Sequence, residues 1–106
     1  MTRFPCPYLK DRVEWTEGRE RHIAERHPDL LPQHRERVVE TVADPDQVRR
    51  SIRLPAARLF SRWYPEVRGC KHIVVVVVSG PPQRHWVIAA YIARRLAEGE
   101  VKWKRS

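Results

Sequence analysis

From Leu59 to Tyr64 the side chains alternate, with Leu59, Ser61 and Trp63 on one face and Phe60, Arg62 and Tyr64 on the other. That period of two predicts a strand. Lys71 to Ser79 is dominated by β-branched residues, and Gly80-Pro81-Pro82 follows as a turn. This stretch predicts a central strand buried on both faces. His85 to Ile92 predicts another strand, and Glu100 to Trp103 a strand at the sheet edge. Connections this short join antiparallel neighbours. Arg94 to Glu98 predicts one short turn of helix.

Before residue 50 the pattern is helical. Thr16 reads as an N-cap for a helix that runs to about His27, where Pro28 stops it. A second helix fits residues 33–43, with Val38, Val39 and Val42 on one stripe. Asp44-Pro45-Asp46-Gln47 has the form of another start, so a short third helix is expected to end near Arg50. Residues 1–12, with Pro5 and Pro7, read as an extended arm. Helices first and strands afterwards give an α+β expectation: N-terminal helices packed on a C-terminal four-stranded antiparallel sheet, in one domain over residues 1–106.

Charge changes the picture of partners more than of fold. Lysine and arginine number 21 against 13 acidic residues, a formal charge of +8, and the pI is near 10.3. Such a balance is the electrostatic footprint of a nucleic-acid binder, and an acidic protein partner would answer it equally well. Cys6 and Cys70 have no zinc-type spacing and read as free thiols of a cytoplasmic protein. The N-terminus has no apolar signal core, and the apolar run Ile73–Val78 is too short to span a bilayer, so no membrane is expected.

Candidate chemistry concentrates in His22-Ile-Ala-Glu-Arg-His27-Pro-Asp. At about 100° per residue, His27 lies about 40° from the inward-facing Ile23. His22, Arg26 and Arg19 cluster on another side, where His22 and Arg26 can face one ligand. Imidazoles move protons near neutrality, and guanidinium groups grip phosphate in a fork. The five-residue step from His22 to His27 splays the rings, so no metal site is expected. Arg62 shares its strand face with Phe60 and Tyr64, while Lys71, Tyr91 and Arg94 belong to the neighbouring strand region. Cations beside aromatic rings suit RNA backbone and stacking contacts, and suit a solvated sheet face equally.

The order of these motifs resembles the phage-associated branch of the barnase–EndoU–colicin E5/D–RelE-like nuclease superfamily. The resemblance covers about residues 13–103 and rests on His22-Ile23, Arg26-His27-Pro28-Asp29, Glu40-Thr41-Val42, Asp44-Pro45-Asp46, Arg58–Arg62, Lys71–Val78 and Ala90-Tyr91. It implies RNA cleavage by attack of the ribose 2′-OH, with no metal or other cofactor, in a toxin or phage-linked effector. His22 or His27 would then act as acid or base, with Arg62, Lys71 and Arg26 on the phosphate. Arg19, Arg58, Tyr91 and Arg94 would contact the nucleic acid. The superfamily tends to carry a hydroxyl residue where this chain has Ala89. An acidic antitoxin or immunity protein is the partner such a nuclease would have. A non-catalytic RNA-binding domain and a protein-interaction domain stay open as alternatives.

Overall fold

The computed structural model describes residues 1–105; Ser106, the last residue of the expected domain, lies outside them. In chain order the elements are β1 (Thr2–Cys6), β2 (Asp11–Trp15), α1 (Glu17–Arg26), α2 (Arg35–Ala43), β3 (Gln47–Ser51), β4 (Ala57–Tyr64), β5 (Lys71–Gly80), β6 (Arg84–Ala93) and β7 (Gly99–Lys104). All seven strands join one sheet in the order β1-β2-β6-β5-β4-β3-β7. The pairings are antiparallel except β2 with β6, which run parallel through Glu14 and Trp86.

A mixed seven-stranded sheet with two helices replaces the four-stranded antiparallel sheet expected from the sequence. Two local misreadings produce the difference. The N-terminal arm is a hairpin: Phe4, Cys6, Val13 and Trp15 alternate inward and are buried, while Pro5 sits on an edge strand that tolerates a missing N–H. Asp44-Pro-Asp-Gln starts strand β3 rather than a third helix. Asp46 is drawn into the sheet, donating its N–H to Ser61 O (2.8 Å) and accepting from Trp63 N–H through Oδ2 (2.7 Å). Residues 94–98 form bends and irregular chain, not a turn of helix.

The other elements fall where the periodicity puts them. Thr16 caps α1, its Oγ1 accepting from Arg19 N–H at 3.2 Å, and His27 closes the helix with its N–H on Ile23 O at 2.7 Å. Cross-strand partners share a sheet face. Val48, Phe60, Val75 and Ala90 therefore line one face, all of them fully buried. The helices cover this inner face, α2 against β5 and β4 and α1 against β6. The opposite face carries Leu59, Ser61, Val74, Val76 and Tyr91, of which Ser61 and Val74 are buried and the others partly exposed.

The sheet curls strongly. The β1–β2 turn folds back over the inner face, where Tyr8 meets Phe60 edge-on at 5.9 Å. Pro7 and Tyr8 also share a cavity of ≈ 370 Å³ with Trp103 of β7, so the two sheet edges approach each other. Among the described residues no helix is long and apolar enough to cross a membrane.

Two outcomes follow from this packing. Phe60→Ala empties the centre of the inner face and should cost about 3–5 kcal/mol in urea unfolding, whereas Leu59→Ala on the half-exposed outer face costs much less. Asp44 accepts from Arg62 and Arg105, and these bonds hold its carboxyl below the usual range. A depressed folded pKa gives stability that is complete above the unfolded value of about 3.9. That stability is lost as pH falls through the lower folded value. Asp44→Asn should therefore reduce the drop in melting temperature between neutral and strongly acid solution, and an unchanged drop would contradict the assignment.

Candidate functional site

His22, Arg19 and Arg26 lie exposed on the outer side of α1, behind the buried Ile23. His27 sits at the helix end, its ring 6.1 Å from that of Tyr91. Tyr91 is half-buried, and burial pushes its hydroxyl pKa up. Its strand partner Val74 places it on the outer sheet face. There Leu59, Val76, Ile88, Ala89 and Tyr91 line a groove of ≈ 640 Å³. Ala89 thus contributes only a methyl group to this groove, whose rim also carries Ser51, Arg53 and Glu98.

Two of the cations expected at a phosphate are bound within the protein. Arg62 donates through Nη1 to Asp44 O (2.7 Å) and Asp44 Oδ2 (2.8 Å) and lies over the Tyr64 ring at 5.7 Å. The Asp44 bond raises its pKa further. This guanidinium ties the end of α2 to β4. Lys71 donates through Nζ to Arg68 O at 2.9 Å and closes the β4–β5 turn. Arg94 is exposed just beyond β6. Of the residues named from sequence, the structure brings together His27 and Tyr91. Arg58 alone among them enters the polar cluster described next.

That cluster lies at the other end of the sheet. Arg58 Nη1 donates to Ser79 Oγ at 3.1 Å. Ser79 Oγ is 2.7 Å from His85 Nδ1. His85 Nε2 is 3.4 Å from Asp11 Oδ2. Four side chains from β4, β5, β6 and β2 form one continuous chain of polar contacts. Together with Leu9, Lys10 and Gln83 they line a cleft of ≈ 420 Å³.

Each side chain is positioned by an ordinary feature of the sheet. Ser79 and His85 are cross-strand partners beside the Gly80–Gln83 turn. Arg58 is paired with Val77 and so emerges on the same face two residues from Ser79. Asp11 begins β2, where the curled first hairpin crosses the inner face. His85 keeps only 14% side-chain exposure, against 40% for Asp11, so the imidazole is walled in and the carboxylate reaches it from the solvent side.

The polarity of this chain can be assigned. Arginine has donors and no acceptor, so Arg58 can only donate to Oγ. The Asp11 carboxylate favours a proton on Nε2. Nδ1 is then left as the acceptor for the Ser79 O–H. A hydroxyl pulled toward an imidazole, with a cation on its oxygen, can transfer protons and bind anions. Among the described residues no group of three histidine, cysteine or acidic side chains could hold a metal ion.

Sequence reasoning missed Asp11, Ser79 and His85 because the three are separated along the chain and match no motif. The usable signal was local: Ser79 and His85 flank a proline turn at the mouth of a hairpin, where opposed residues must meet. Long-range proton–nitrogen correlation spectra should show neutral His85 as the Nε2–H tautomer, and Asp11→Asn should weaken that preference. A dominant Nδ1–H form would reverse the assigned polarity. Comparisons of the chain with family models, curated proteins and solved structures found no match, which leaves the residues themselves to indicate the chemistry.

Proposed function

We propose that the protein cleaves RNA phosphodiesters without a cofactor and that the reacting phosphate is held in the cleft of Arg58, Ser79, His85 and Asp11. The carrying observation is the continuous contact chain from guanidinium to hydroxyl to imidazole to carboxylate, at 3.1, 2.7 and 3.4 Å. Cleavage requires that an attacking hydroxyl lose a proton, that negative charge on the phosphorane be stabilised and that the leaving oxygen gain a proton. His85 supplies the cleft's imidazole, the side chain best suited to take up and return a proton. Asp11 orients its ring and stabilises the imidazolium that forms. Arg58 and Lys10 supply positive charge to the phosphate oxygens.

RNA brings its own attacking group, the 2′-OH, and its product would be a 2′,3′-cyclic phosphate. The net charge of +8 favours capture of a polyanion, and the exposed Arg19 and Arg26 of α1 offer backbone contacts away from the cleft. RNA is also the substrate of the nuclease superfamily that the chain resembles, but the proton-transfer group lies here on β6 and not on α1. The buried Cys6 and exposed Cys70 are both free thiols, which suits a reducing cytoplasm. The exposed row on α1 favours a second reading, RNA binding without cleavage.

Purified protein in EDTA should cut a labelled single-stranded RNA to 2′,3′-cyclic phosphate ends. His85→Ala and Arg58→Ala should each lower kcat/KM by on the order of 10²-fold or more, with the circular dichroism spectrum unchanged. His22→Ala should have little effect. Strong loss in His22→Ala with none in His85→Ala would move the chemistry to α1. Salt-dependent RNA binding with no product would leave only the second reading.

A further inference from the structure

The serine in this cleft is held in a state that a purely structural hydroxyl does not need. Arg58 Nη1, 3.1 Å away, can only donate to Ser79 Oγ. The Nδ1 lone pair of His85, 2.7 Å away, takes the hydroxyl proton. Asp11, 3.4 Å from Nε2, stabilises the ring as it becomes an imidazolium. The second lone pair of Oγ remains for a new bond. An oxygen beside its own base, with an alkoxide-stabilising cation in contact, meets the requirements of an activated nucleophile. The arrangement has the roles of a serine–histidine–aspartate triad, which is recognised by geometry and not by sequence order.

Resting on the phosphodiester reading above, we infer that Ser79 is itself a nucleophile, so that the cleft also opens phosphodiesters that lack a 2′-hydroxyl, DNA linkages among them. The surroundings select phosphoryl over acyl chemistry. A carboxylic ester needs neutral N–H donors placed for an oxyanion. The Ser79 N–H is already bonded to Ala56 O at 3.2 Å, which leaves the Gln83 amide as the neutral side-chain N–H donor in the lining, while the two cations Arg58 and Lys10 outnumber its one carboxylate, Asp11. Those cations match the anionic oxygens of a phosphodiester.

The steps balance without metal or redox partner. The Oγ–phosphorus bond forms as the phosphorus–oxygen bond to the leaving group breaks. The serine proton passes to Nδ1 and then to the departing alkoxide. Water next attacks the phosphoserine diester, giving its proton to His85, and Ser79 leaves and takes that proton back. The sum is one water consumed per linkage cut.

The test uses matched single-stranded RNA and DNA together with bis(4-nitrophenyl) phosphate, all in EDTA. The wild-type protein should cut both nucleic acids. The chromogenic diester should give a burst of 4-nitrophenolate and an adduct of one 4-nitrophenyl phosphate, mapped by mass spectrometry to the peptide containing Ser79. Ser79→Ala should lose the adduct and at least about a hundredfold of the DNA cleavage, while RNA, with its own 2′-OH, loses much less. RNA cleavage with intact DNA and no adduct would overturn the nucleophile and leave the RNA reading standing. An adduct on another residue, or DNA cleavage unchanged in Ser79→Ala, would also overturn it. Failure to cut any of the three substrates would overturn both.

Discussion

The register of β5 against β6 is the constraint on which the rest of the molecule depends. From Ile73–Ile92 to Val76–Ala89 the two strands hold one register, and from Val77–Val87 to Gly80–Arg84 they hold another, with Ile88 taken up in a bulge between. Without that bulge Trp86 would oppose Ser79, and Val87 would face outward. With it, Val87 is buried in the core and His85 opposes Ser79 on the inner face. A one-residue slip changes the face of every later side chain, which is why bulges so often sit beside functional groups. The apolar run of β5 fixes the first register because Ile73, Val74 and Val75 are buried on both sides.

Curling of the sheet completes what the register begins. The first hairpin crosses the inner face, held there by Tyr8 on Phe60 and by the buried Phe4 and Trp15, whose rings meet edge-on at 6.4 Å. That crossing delivers Asp11 and Lys10 to the cleft opened by β4, β5 and β6. The basic residues divide between two roles. Arg62 and Arg105 converge on Asp44 and Lys71 closes a turn, all inside the fold's own hydrogen bonding. Among the described residues the side-chain hydrogen bond of Arg58 is to the Ser79 hydroxyl, and Arg58 lines the open cleft.

What was legible in the sequence follows the same division. Strands β4, β5 and β6 were readable because their alternation and β-branching reflect burial, and α1 because Thr16 and Pro28 mark its ends. Strand β3 was not, since Asp44-Pro-Asp-Gln fits a helix start equally well. What decides between the two is the contact of Asp46 with β4 and of Asp44 with Arg62, residues well separated in the chain. Pro5 and Pro7 hid the first hairpin behind a breaker signal, although Phe4, Cys6, Val13 and Trp15 already alternated. The polar cluster was least legible. The charge of Arg58 is visible in the sequence, but the bulged register and the curled hairpin give it Ser79, His85 and Asp11 as neighbours.

The central claim is that phosphate binds at the sheet end and not along α1. A titration of isotopically labelled Ser79→Ala protein, which lacks the serine nucleophile, with a 2′-O-methyl RNA, whose blocked hydroxyl cannot attack in its place, tests this most directly. Amide and side-chain shifts concentrated at Lys10, Asp11, Arg58, residue 79 and His85 are the predicted result. Shifts confined to Arg19, His22 and Arg26, with the cleft unmoved, would contradict it.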